Sequence, residues 1–89
     1  MADQTVLAEI LNVINDIKFT AFSPDTVELD DYLGGDLGID SVEMLEIWYD
    51  IEKALNIKVE DHEKRDLYTL GHVLEKVTSK LEAPAEAIG

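Results

Sequence analysis

The sequence predicts an all-α fold: a small four-helix bundle of three long helices and one short one, with a long loop between the first and second helices. Three observations carry this. Apolar residues recur at helical spacing in three separate runs, and Ser23-Pro24-Asp25 and Gly34-Gly35 interrupt the chain between the first two runs. No stretch alternates apolar and polar residues convincingly enough to read as a strand.

The first helix is expected from about Thr5 to Lys18. Val6, Ile10, Val13, Ile14 and Ile17 fall on one face, Leu7 and Leu11 widen it, and Glu9, Asn12 and Asp16 take the other side. The connection from Phe19 to Asp40 is long for a compact domain, and loops of that length are often functional. Phe19, Phe22, Val27, Leu29, Leu33 and Leu37 are the expected apolar anchors that pin it over the core.

The second helix is expected from about Ser41 to Leu55, and its residues divide into three stripes. Met44, Ile47, Trp48, Ile51 and Leu55 form a core face. Glu43, Glu46 and Asp50 form an acidic face. Val42, Leu45 and Tyr49 make a second apolar strip flanking Ser41, which folding alone does not require and which suits a docking surface.

Asn56-Ile57-Lys58-Val59 leads to a poorly periodic stretch around Asp61 to Asp66, read as one or two helical turns. Thr69 can cap the last helix, where Leu70, Val73, Leu74, Val77 and Leu81 repeat at i, i+3, i+4, i+7 and i+11. Gly71 weakens that helix only slightly. Residues 82–89 are expected to form a flexible C-terminal tail.

The formal charge is −13, which argues against nucleic acid as a direct partner because phosphate binding needs clustered lysine and arginine. Between Lys18 and Lys53 there is no basic residue, while Asp25, Glu28, Asp30, Asp31, Asp36, Asp40, Glu43, Glu46, Asp50 and Glu52 all fall there. Such a region attracts basic patches on partner proteins. With no cysteine, neither disulfides nor thiolate metal sites can staple the fold. Met1-Ala2-Asp3-Gln4 lacks the cationic start of a secretory signal, and no apolar run approaches membrane-spanning length. The expectation is a cytoplasmic monomer without membrane insertion.

Ser41 is the focus of this acidic region. Asp40 can N-cap the second helix, and Glu43, three residues on, can return a carboxylate to the cap's own N–H. Ser41 then lies in the first turn, where unpaired N–H groups and the positive helix end favour an added anion such as a phosphoester. No nearby residue can activate its hydroxyl, and neither a G-x-S-x-G elbow nor a paired histidine is visible, so no catalytic residue is assigned and no enzyme is expected. A calcium loop starting at Asp36 would put Ser41 where glycine belongs and Ile47 where a glutamate should close it, so that reading fails. His62 and His72 lack a metal-ligand spacing and read as surface or helix-end histidines; no metal site is expected. An acidic inhibitor or interaction module is the alternative from charge alone, but it does not explain the placement of Ser41.

Asp36-Leu37-Gly38-Ile39-Asp40-Ser41-Val42 resembles the D-L-G-x-D-S-[LV] attachment motif of the acyl carrier protein family, and Leu55-Asn56-Ile57-Lys58-Val59-Glu60-Asp61 is similar to that family's segment between the second and third helices. The resemblance covers most of the chain and marks 1–81 as the carrier domain. It implies that Ser41 receives a 4′-phosphopantetheine arm from coenzyme A through a phosphodiester made by a phosphopantetheinyl transferase, and that acyl groups ride on the arm's thiol as thioesters. By the same resemblance, Asp40 takes part in the transferase encounter. Val42, Leu45 and Tyr49 match apolar recognition positions; Glu43, Glu46 and Glu52 match acidic positions that meet basic residues on partners, and Asp50 lies on the same face. The implied partners are the transferase, an acyl-loading ligase or acyltransferase, and a ketosynthase or other pathway enzymes with basic docking patches, in fatty-acid, polyketide or related specialised biosynthesis.

Two positions depart from the family pattern. Lys53 stands where many members are acidic, and Trp48 is bulkier than the small aliphatic residue common there. An aminoacyl or peptidyl carrier is the nearest alternative, but Gly34-Gly35-Asp36 comes too early to serve as the glycine-rich serine motif typical of that group.

Overall fold

The computed structural model describes residues 2–82, comprising helices α1 (Ala2–Lys18), α2 (Ser41–Leu55) and α3 (Leu70–Glu82) and one 3₁₀ turn at Asp61–Lys64. The only β-type pairing among the described residues is a single antiparallel bridge between Tyr32 and Thr69. The all-helical class and the long first connection follow the sequence expectation, but the short fourth helix is reduced to the one 3₁₀ turn. Arg65 is extended and Asp66 takes the left-handed conformation (φ 58°), so the expected run to Asp66 stops at Lys64. Helix α1 begins at Ala2 rather than near Thr5, because Ala2, Asp3 and Gln4 include no helix breaker. Of the expected tail, Glu82 belongs to α3, and 83–89 lie outside the described residues.

The three helices meet along the predicted stripes. Helix α1 packs against both α2 and α3. It buries Val6, Leu7, Ile10, Leu11, Val13 and Ile14 against Ile47, Trp48 and Ile51 of α2 and Leu70, Val73, Leu74 and Val77 of α3. Ile17, Met44 and Leu55 form half-buried margins of this core. Leu81, expected on the α3 stripe, lies outside the buried core and is 38% exposed, because the core ends at Val77 one turn earlier.

The first connection is held at three places. At its start, Asn15 of α1 donates from Nδ2 to the Phe22 carbonyl (2.9 Å) and accepts at Oδ1 from the Phe22 N–H and the Thr20 hydroxyl (both 2.8 Å). In its middle, Val27, Leu33, Leu37 and Ile39 enter the core. Further on, its carbonyls cap α3: the Leu70 N–H donates to Asp31 O (3.0 Å) and the Gly71 N–H to Leu29 O (2.8 Å). A helix start leaves such N–H groups unpaired, so the loop satisfies donors that α3 cannot satisfy itself.

Two of the expected loop anchors are therefore not anchors. Phe19 is 92% exposed, turned away from the core by its left-handed backbone (φ 57°). Leu29 is about half exposed, although its carbonyl and Cβ lie against Gly71 of α3. Phe22 packs partly against the core as expected.

The approach of the loop to α3 accounts for Gly71. A Cβ added there would lie 3.0 Å from Leu29 O and 3.3 Å from Leu29 Cβ. Helix propensity alone favours alanine over glycine by about 1 kcal/mol. The contact reverses that sign, because the nearest atom is a backbone carbonyl that already accepts the Gly71 N–H and cannot move without losing that bond. Gly71→Ala is expected to destabilise the fold by about 1–3 kcal/mol in urea unfolding; a stabilised variant would show that the loop does not hold α3 this closely.

Candidate functional site

Helix α2 starts with a complete capping box. Asp40, extended at φ −93° and ψ 175°, accepts the Glu43 N–H at Oδ1 (2.8 Å), and Glu43 Oε1 accepts the Asp40 N–H (3.0 Å). The first turn of a helix has N–H groups without intrahelical partners, and this box satisfies those of Asp40 and Glu43. The N–H groups of Ser41 and Val42 remain open at the positive end of the helix, beside the exposed Ser41 side chain. Gly38, with φ 70°, makes the left-handed turn that lets the chain enter this cap while Leu37 and Ile39 stay buried on either side.

Glu43 has a second partner. The Lys18 ammonium, at the end of α1, donates to both of its oxygens at 2.8 and 3.0 Å. The hydrogen bond from Lys18, followed by that from the Asp40 N–H, holds the Glu43 carboxyl below the ordinary glutamate range. The end of α1 and the start of α2 are thus tied through one carboxylate, which is partly spent inside the molecule.

The remaining site residues lie on the outer faces of α2. Val42, Leu45 and Tyr49 are 70%, 64% and 62% exposed, forming an unburied apolar strip that runs along the helix from Ser41. Glu46 is exposed beside it and Asp50 is half-exposed one turn on, neither with an ion pair among the described residues. Glu52, by contrast, is half-buried and 3.1 Å from the Lys64 ammonium, so it braces the 3₁₀ turn. Lys53 extends the apolar strip, its ammonium 5.2 Å from the Tyr49 ring centre.

Among the described residues, no group of three or more histidines and carboxylates is placed to hold a metal ion. His62 is exposed, and His72 sits at the start of α3, accepting the Tyr68 and Thr69 N–H groups at Nδ1 (3.0 and 3.2 Å). An open groove on α3, lined by Leu29, Gly71, Leu74 and Thr78 among others, includes no residue of α2. No helix among the described residues is long and apolar enough to cross a membrane.

No protein-family profile matches the chain. Individual relatives do: it is 30% identical over 78 residues to an acyl carrier protein of Renibacterium salmoninarum, covering 88% of this chain and 94% of the relative. It is 31% identical over 80 residues to an acyl carrier protein of Rhodococcus erythropolis, covering 90% and 85%. A third, from Beutenbergia cavernae, is 31% identical over 70 residues, covering 79% and 83%. The chain is an all-helical domain by its fold, and by these relatives it belongs to the acyl carrier protein family.

The Lys18 contact and the braced state of Glu52 are not visible in the sequence, because each joins residues too far apart for any local pattern. They divide the acidic positions into two kinds: Glu43 and Glu52 are held by lysines, whereas Glu46 and Asp50 face outward. The depressed Glu43 carboxyl also has a stability consequence. Its contribution is fully present above the ordinary glutamate range and is lost as pH falls through its lowered folded value. Glu43→Gln should therefore lose stability at neutral pH and converge with the native protein in acid, measured as the difference in melting temperature across a pH series. A constant difference down to the acid limb would show that the Lys18 pairing does not depend on the Glu43 charge.

Proposed function

We propose that the chain is a discrete acyl carrier protein that presents acyl intermediates as thioesters on a 4′-phosphopantetheine arm attached to Ser41. The observation that carries this is the pairing of an exposed serine on the first turn of α2 with an exposed apolar strip, Val42, Leu45 and Tyr49, that the core leaves uncovered. Folding explains neither feature. A partner that binds the strip and reaches Ser41 explains both.

The residues fit the group. A phosphodiester on Ser41 Oγ would place its negative charge beside the open N–H groups of Ser41 and Val42, at the positive end of α2. Attachment would form the Oγ–phosphorus bond, break the pyrophosphate linkage of coenzyme A and release adenosine 3′,5′-bisphosphate, with the transferase taking the hydroxyl proton, so the hydroxyl needs no activating neighbour in this chain. The arm supplies a terminal thiol for the acyl group. Asp40 has a double task in this proposal, capping α2 through Oδ1 while standing next to Ser41 for the transferase encounter.

Glu46, exposed beside the apolar strip, and the half-exposed Asp50, neither ion-paired among the described residues, are the carboxylates best placed to meet basic patches on an acyl-loading ligase or acyltransferase and on a ketosynthase or other pathway enzyme. Glu43 and Glu52 contribute charge to that field but are anchored by Lys18 and Lys64. Trp48, 2% exposed, fills the space between α2 and the core, which supports carriage of the acyl chain at the surface rather than storage inside the bundle. In this account the protein acts as a cytoplasmic monomer and performs no chemistry itself. An acidic inhibitor module would account for the charge, but not for an apolar strip aligned with a single serine.

The test is direct. Incubation of the purified protein with coenzyme A and a promiscuous phosphopantetheinyl transferase should add the mass of one phosphopantetheinyl group, and Ser41→Ala should add none. No mass gain in the native sequence, or a gain that survives in Ser41→Ala, contradicts the assignment.

A further inference from the structure

Phe19 combines a left-handed backbone with an aromatic ring left in solvent. Helix α1 ends in a 6→1 turn, the Thr20 N–H donating to Asn15 O at 3.2 Å, with Phe19 in the left-handed position between them (φ 57°). That position is usually glycine, sometimes asparagine. Helix α2 ends with the same device, the Ile57 N–H donating to Glu52 O at 3.1 Å, and there the left-handed residue is Asn56. At the end of α1 a bulky aromatic carries the backbone strain and then leaves its ring 92% in water. The turn needs a left-handed residue, but neither the aromatic side chain there nor its exposure serves the fold.

Its location indicates what they serve. Lys18, the preceding residue, reaches Glu43 at 2.8 Å, and Glu43 is two residues from Ser41, so Phe19 stands at the same end of the bundle as the serine. Phe19 also opens the stretch to Glu52 that has no basic residue, and the one adjacent cation, Lys18, is already paired. The result is an isolated phenyl ring in an acidic field. Aromatic side chains in such settings act as anchors that fill a pocket on a partner while charged neighbours set the approach.

We propose that Phe19 is a docking anchor for the enzyme that modifies Ser41, inserting into an apolar socket with a basic rim on that enzyme. The proposal rests on the carrier assignment. Among the partners of a carrier, the modifying enzyme must bring a phosphorus atom within bonding distance of Ser41 Oγ, so its surface covers this end of the bundle. Enzymes that act on cargo also dock on α2, but their chemistry is done at the thiol, an arm's length from this end, and does not require contact with Ser41 Oγ.

The experiment uses the full chain, coenzyme A and a promiscuous phosphopantetheinyl transferase, with steady-state kinetics on the native sequence and on Phe19→Gly, Phe19→Ala and Phe19→Tyr. Phe19→Gly relieves the backbone strain, so its melting temperature should rise by about 4 °C even as docking is lost. Both Phe19→Gly and Phe19→Ala should raise KM about tenfold with kcat unchanged at saturation, the loss of roughly one anchor's worth of binding. Phe19→Tyr should stay within about twofold of the native KM. A gain in melting temperature with a lower affinity is a combination that a merely structural role for Phe19 does not produce. If the native protein is modified and Phe19→Gly and Phe19→Ala keep its KM, the anchor is refuted and the carrier assignment stands. If the native protein is not modified at all, both are refuted.

Discussion

The carboxylate of Glu43 joins the two parts of the molecule on which everything else depends. One oxygen completes the cap of α2 at the Asp40 N–H, and the same carboxylate receives the Lys18 ammonium from the end of α1. Partly exposed ion pairs contribute little net stability, so the importance of this one is geometric. It fixes where α2 begins relative to α1, and hence where Ser41 stands. It also pairs Lys18, the only lysine or arginine before the stretch from Phe19 to Glu52 that has no basic residue.

From that fixed start the stripes of α2 divide the work. Ile47, Trp48 and Ile51 face inward and hold the helix to α1 and α3. Val42, Leu45 and Tyr49 face outward in line with the serine, with Glu46 beside them. A rigid inner face behind an apolar outer strip is the arrangement by which a small domain can present one attachment point to several proteins in turn. The long first connection supports it from the other side: Asn15 holds its start, the core takes Val27, Leu33, Leu37 and Ile39, and its carbonyls cap α3.

The helices and their inward faces were legible in the sequence because burial repeats with the helical period. The capping box was legible for a similar reason, since Asp40 and Glu43 are only three residues apart. Three features were not. Phe19 looks like a core residue by composition, and only its backbone conformation reveals that it points into solvent. Gly71 looks like a minor flaw in a helix, whereas it is the point where Leu29 approaches too closely for a side chain. The 3₁₀ turn at Asp61–Lys64 is too short to leave a periodic trace; what holds it is Glu63, paired with Lys80 at 2.6 Å, and Lys64, paired with Glu52. Local pattern predicts elements well, and these are contacts between elements.

The central claim is that Ser41 is presented from a rigid platform rather than from the end of a mobile loop. Backbone ¹⁵N relaxation of the Ser41 and Val42 amides, in the native protein and in Glu43→Ala, measures this most directly. The account predicts order parameters of about 0.85 in the native protein, falling below about 0.6 when Glu43 is removed. Loop-like values in the native protein, or values unchanged by Glu43→Ala, would contradict it.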